Sequence, residues 1–130
     1  MAGRIATRLK ERGIVLPPPF PPGGSYVGKL GRDLDIATGQ KAARQTALQI
    51  LAEVQHGVPG GLDRVTRAVK LFALGNCRPD FTQQAQVING ASDLMAEVFG
   101  EAGKHARVAI GAETLPFGIA VEIDGIFEIG

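Results

Sequence analysis

Residues 105–123 read HARVAIGAETLPFGIAVEI, two apolar runs around a Leu-Pro turn, with Arg107 near the head and Glu122 near the tail. Side chains alternate faces along a strand, so Val108 and Ile110 share one face and Arg107, Ala109 and Gly111 the other. On the second run Val121, Ile123 and Phe127 share a face, opposite Glu122, Asp124 and Glu128. A β-hairpin with both apolar faces on one core sets Val108 opposite Val121 and Arg107 opposite Glu122. The loop then falls at Thr114 and Leu115. Two readings of the charged pair stand. It is a cross-strand ion pair worth roughly 0.2–1 kcal/mol. Or small neighbours Ala109 and Gly111 leave room for a ligand carboxylate on the planar fork of Arg107, with Glu122 as general base or water-orienting group.

Upstream of this segment, Val87, Ile88, Ala91, Leu94, Met95 and Val98 follow helical spacing and predict a helix over 83–99, closed by Gly100 and Gly103. The turn NCRPDF precedes it. Residues 65–74, VTRAVKLFAL, read as a strand apolar on both faces, hence covered on both sides. A long helix over 36–56 is expected from Ala43, Ala47, Ile50, Leu51 and Val54, with Asp35 as its N-cap and GVPGG as its stop. Ile5 and Leu9 mark a short amphipathic helix ending near Gly13. The five prolines of LPPPFPPGGSY dictate an extended connector, anchored by Leu16, Phe20 and Tyr26. The reading is an α/β domain with few strands and no internal repeat: residues 1–27 form the N-terminal helix and connector, 28–130 the α/β body.

Composition narrows the function classes. The chain has 130 residues, 14 basic against 13 acidic and a formal net charge of +1, so no electrostatic footprint for nucleic acid is expected. Cys77 is the single cysteine, which excludes an intrachain disulfide and a multi-cysteine metal site within one chain. Its simplest role is packing. No stretch reaches the ~20 apolar residues of a membrane helix, and the charged start lacks the core of a signal peptide. A cytoplasmic location with no membrane partner is the expectation.

The segment around Arg107, Val108, Ile110, Leu115-Pro116 and Val121-Glu122-Ile123 resembles the closing part of the RidA/YjgF family of imine deaminases. VINGASDLMAEVFGEAGKHAR is similar to the family's second helix and its loop to the arginine, with Asn89 at a matching position. LDRVTRAVKL resembles the preceding strand, and GSYV the tyrosine-containing start. LPPPFPPGGSYV points to a branch with an N-terminal helical extension. The resemblance implies a chorismate-mutase-like (bacillus-type) fold with a mixed sheet and two main helices, assembled as a homotrimer with intersubunit clefts. It implies hydrolysis of reactive enamines and imines, of the 2-aminoacrylate and 2-iminobutanoate type, to 2-keto acids and ammonia, with neither metal nor organic cofactor. Arg107 would clamp the substrate carboxylate, Glu122 would assist the water, Tyr26 would wall the cleft and Asn89 would help hold it.

Three departures accompany the resemblance. His105 and Glu113 stand where the common pattern has Pro or Ala and a small or basic residue. Between Tyr26 and the long helix the family has two strands and a Ser-Gly-Gln motif. Here VGKLGRDLD spans that interval, and the family's first strands are missing between Val27 and Gly28. Two further functions remain open beside the deaminase: a non-catalytic carboxylate-binding or regulatory trimer, and an endoribonuclease or translation inhibitor.

Overall fold

The computed structural model describes residues 3–19 and 26–130. Phe20 and the Gly-Gly-Ser run of the connector lie outside the described residues. The elements are α1 (Arg4–Glu11), α2 (Ile36–Gly57), β1 (Val65–Asn76), α3 (Gln84–Phe99), β2 (Ala106–Ala112) and β3 (Val121–Ile129), joined in part by single 3-10 turns. Both long helices lie where periodicity placed them. Asp35 caps α2 by accepting from the Thr38 N–H at 2.8 Å, which satisfies one of the helix's unpaired N-terminal donors.

The three strands lie in the order β2-β1-β3. β1 pairs in parallel with β2, with Leu71 opposite Arg107, and antiparallel with β3, with Leu74 opposite Glu122. The expected hairpin is therefore not formed. α3 serves as the crossover that returns the chain parallel to β1, and residues 113–120 then carry it past the end of β1 to the other edge. Asn76 fixes that passage: it is buried, and its N–H donates to the Ala120 carbonyl at 2.8 Å.

Splitting the two strands reverses the expected faces of β2 and leaves those of β3 as expected. Arg107, Ala109 and Gly111 pair with Leu71, Ala73 and Gly75, and these share a face with Val121, Ile123 and Phe127. That face carries α2 and α3. Val108 and Ile110 lie on the opposite face with Phe72, Leu74, Glu122, Asp124 and Ile126. β1 is covered on one side only within the chain, against the expectation of two. Ile110 and Ile126 are 45% and 56% exposed on the open side.

The helices meet through small residues. Ala42, Ala43 and Ala47 of α2 are buried against a core that includes Val87, Ile88, Ala91 and Leu94 of α3. At Gly90 the approach is closest: an added Cβ would lie 2.1 Å from the Gln40 carbonyl oxygen. Backbone meets backbone there, so no side chain can rotate away. α1 docks on this pair's far end, where Ile5 is buried, its N–H donates to Asp63 Oδ1 at 2.6 Å, and Arg8 Nε donates to the Glu97 carbonyl at 3.0 Å. Leu16 and Tyr26, two anchors of the connector, pack against the core. Residues 26–35 add isolated bridges only, Val27 with Ile119 and Leu30 with Leu34 and Cys77.

Gly90→Ala is expected to push α3 off α2 and to destabilise the fold by about 1–3 kcal/mol, the usual cost of overpacking. Urea titration of the variant against the wild type checks it.

Candidate functional site

Asn89 and Ser92 are three residues apart on α3, so they lie on one helix face, and that face looks onto the β2 edge of the sheet. Arg107, on the same side of β2, donates from Nη1 to Asn89 Oδ1 at 2.8 Å and to Ser92 Oγ at 3.1 Å. These two bonds use both protons of Nη1. The Nε and Nη2 donors, which form the side edge of the guanidinium, have no partner among the described residues. A held guanidinium with a free two-donor edge matches a carboxylate.

The turn after α3 completes the site. At Gly103 an added Cβ would stand 2.1 Å from the Met95 carbonyl oxygen, so only glycine lets residues 100–103 fold this tightly onto the helix. The chain then brings His105 back over α3. Its Nε2 lies 2.9 Å from Ser92 Oγ, and its Nδ1 lies 2.6 Å from the Gly103 carbonyl oxygen. Ser92, Ala96, Gly103, Lys104, His105 and Arg107 line a cleft of about 280 Å³.

Of the residues singled out in the sequence, the structure brings Arg107 and Asn89 together and keeps Glu122 and Tyr26 apart from them. Glu122 is exposed, on the opposite face of the sheet and two strands away, and its carboxylate makes no ion pair with a described residue. The cross-strand ion pair with Arg107 is thereby excluded within one chain. Tyr26 is half-buried beyond the far end of β2, its carbonyl accepting from the Ala120 N–H at 3.1 Å. At the usual rise per residue, the five residues from Arg107 to Ala112 put it roughly 15 Å along the strand. The space beside Gly111 is not open either: an added Cβ there would meet Cys77 Sγ at 2.7 Å and Gln84 Nε2 at 2.9 Å. Free volume lies on the His105 side instead. Glu113 stands at the other end of β2 from Arg107, its carbonyl accepting from Lys29 Nζ. Ser92 was not singled out, although its spacing from Asn89 was the available signal.

A larger cavity, about 920 Å³, opens between the start of α2 and residues 78–83. Its charges are matched in place, Arg32 with Asp33 at 2.8 Å and Arg78 with Asp80 at 3.1 Å. The side-chain bonds from Arg32, then the Lys29 N–H, hold the Asp33 carboxyl down at about 2. A groove of satisfied pairs offers a ligand less than the smaller cleft with its unpaired guanidinium edge. Among the described residues no group of three or more His, Cys, Asp or Glu is placed to hold a metal ion. Among the described residues no helix is long and apolar enough to cross a membrane.

A family model described as "YjgF/chorismate mutase-like, putative endoribonuclease" matches residues 19–123. Protein TCP17 of Trypanosoma cruzi is 42% identical over 154 aligned positions, covering 98% of this chain and 96% of that protein. That alignment is longer than the chain itself, so the relative carries residues with no counterpart here. The crystal structure of Atu1372 from Agrobacterium tumefaciens, a protein of unknown function, superposes with a TM-score of 0.86 at 40% identity, covering 97% of this chain and 93% of that one. A Shewanella oneidensis protein bearing the same endoribonuclease description shares the fold, with a TM-score of 0.89 at 24% identity over 96% of this chain and 99% of its own.

Asn89→Ala removes one of the two acceptors that hold Nη1. A hydrogen bond to a charged group is worth about 1.5–3 kcal/mol, so affinity for a small carboxylate probe such as acetate is expected to fall by about tenfold or more. Isothermal titration calorimetry of the two proteins measures it.

Proposed function

We propose that this chain, which belongs to the YjgF/chorismate-mutase-like family, hydrolyses reactive enamine and imine intermediates of the 2-aminoacrylate and 2-iminobutanoate type to 2-keto acids and ammonia. One observation carries the reading: Arg107 is fixed by Asn89 and Ser92 through one nitrogen while its Nε and Nη2 edge faces no acceptor among the described residues. These substrates bring a carboxylate for that edge. Their imine carbon is already electrophilic, so orientation of the substrate and of one water supplies most of what the reaction needs. Neither a metal nor an organic cofactor enters the scheme.

Glu122 and Tyr26 join this site only from a neighbouring subunit, because one chain holds them on the other face or at the other end of its sheet. The reading therefore includes a homotrimer. Its driving force is the open sheet face, where Phe72, Leu74 and Val108 are half-buried and Ile110 and Ile126 exposed. In a ring of three, each cleft combines Arg107 of one subunit with Tyr26 and Glu122 of the next. There Glu122 takes the proton of the attacking water. With its lone thiol buried, the protein fits the reducing cytoplasm.

A second reading has one observation in its favour. Residues 26–35 form no strand, so the backbone that lines the family's site before the long helix is missing. A trimer that binds carboxylates without turning them over is what would remain. An endoribonuclease has weaker support, since a net charge of +1 gives phosphates little to bind.

Arg107→Lys keeps the charge and loses the fork, so affinity for 2-oxobutanoate is expected to drop by about tenfold or more with assembly intact. Glu122→Gln is expected to cut ammonia release from 2-iminobutanoate by about 10²-fold while changing binding little. Normal ammonia release by Arg107→Lys would contradict the deaminase reading, and normal binding without release in the wild type would favour the second. Ile126→Asp places a charge on the open face, and sedimentation velocity is expected to show trimers for the wild type and monomers for the variant.

A further inference from the structure

We propose that His105 and Ser92 form a proton relay that protonates the departing amine in the Arg107 cleft, an inference that rests on the deaminase reading above. The argument is an inventory of donors and acceptors. The Gly103 carbonyl can only accept, so the His105 Nδ1 that lies 2.6 Å away carries a proton. Nε2, 2.9 Å from Ser92 Oγ, is then the nitrogen whose state varies. When the ring is neutral, Nε2 accepts the Ser92 hydroxyl proton. When the ring is charged, Nε2 donates to Ser92 Oγ, which also accepts from Arg107 Nη1 at 3.1 Å. Both lone pairs of the hydroxyl are then filled, and its proton must point elsewhere.

Among the described residues nothing else accepts it. A serine inside a helix often bonds the carbonyl one turn back, as Thr46 does with Ala42 at 3.0 Å. Ser92 makes no such bond. The hydroxyl proton is therefore turned into the cleft, beside the guanidinium edge that takes the carboxylate. In a 2-imino acid the nitrogen is two bonds from the carboxylate carbon, which brings it to the same place.

The step balances. Water adds to the imine carbon as Glu122 of the partner subunit takes one of its protons and passes it to nitrogen, which gives a neutral carbinolamine and leaves Glu122 of the partner subunit ionised again. Its C–N bond breaks with the electron pair going to nitrogen, and nitrogen takes the Ser92 hydroxyl proton and leaves as ammonia. Ser92 recovers a proton from His105 Nε2, leaving the ring neutral. The carbinolamine hydroxyl gives its proton to Glu122 of the partner subunit as the keto group forms. That carboxyl releases the proton to solvent, and one proton from solvent restores the imidazolium. Ser92 touches the substrate. His105 acts through it.

The charged groups that line the cleft with the ring are Lys104, which pairs with Glu101 at 3.0 Å, and Arg107. None of these is altered in the test. Ammonia release is followed with 2-iminobutanoate generated in place by an amino-acid oxidase, and 2-oxobutanoate affinity is measured separately. His105→Gln is expected to lower kcat by about 10²-fold, with KM and 2-oxobutanoate affinity unchanged. Ser92→Ala should lose turnover and Ser92→Thr, which restores a hydroxyl, should regain it. An active wild type with unchanged kcat in His105→Gln overturns the relay alone, as does an effect confined to affinity. A wild type that adds nothing to the spontaneous rate overturns the deaminase reading, and the relay with it.

Discussion

Parallel pairing of β2 with β1, with Arg107 opposite Leu71, turns the guanidinium towards α3. A shift by one residue would send every β2 side chain to the other face, leaving Arg107 on the open side and Val108 under the helix. The register is held by what each face can accept. Ala109 and Gly111 fit beneath a helix that sits close to the sheet, and Gly111 in particular has Cys77 and Gln84 where a side chain would go. Larger Val108 and Ile110 are left to the other face. From this one register follow the Asn89 and Ser92 contacts, the free Nε and Nη2 edge, and the cleft toward His105.

The same pairing leaves an unfinished surface. A sheet with helices on one face and Phe72, Leu74, Val108, Ile110 and Ile126 on the other has apolar area still in contact with water. Association through that face would remove it and would also bring Glu122, otherwise remote from Arg107, into a subunit boundary. In the proposed trimer, assembly and site completion would be two consequences of one topology. The acidic pair Glu122 and Asp124 on that face then acts as a local limit on how fully it can be dried.

Much of the fold was legible in the sequence, and the pairing was not. α2 announced itself by Asp35 and the spacing of Ala43, Ala47 and Leu51, and α3 by Val87, Ile88, Ala91 and Leu94. β1 read correctly as a two-faced apolar strand. Alternation along 106–112 and 121–129 fixed which side chains share a face within each strand, but it is equally compatible with a hairpin and with two strands flanking a third. Assuming a hairpin set Val108 beside Val121, whereas the parallel crossover sets them on opposite faces. Arg107 and Asn89 were recognisable through the resemblance to relatives. Ser92 was hidden because a serine three residues from an asparagine is common on any helix face, and its meaning depends on what the facing strand presents. His105 stands out in the sequence only as a departure from the family pattern, because its contact with Ser92 depends on the Gly103 turn that folds it back over α3.

A crystal structure with 2-oxobutanoate bound tests the role of Arg107 most directly. The expected result is the carboxylate bidentate on Nε and Nη2 at about 2.7–2.9 Å, with the keto oxygen beside Ser92 and a neighbouring subunit supplying Tyr26 and Glu122. A keto acid seated instead between the start of α2 and residues 78–83, or an Arg107 edge already filled by an acceptor from the next subunit, would contradict it.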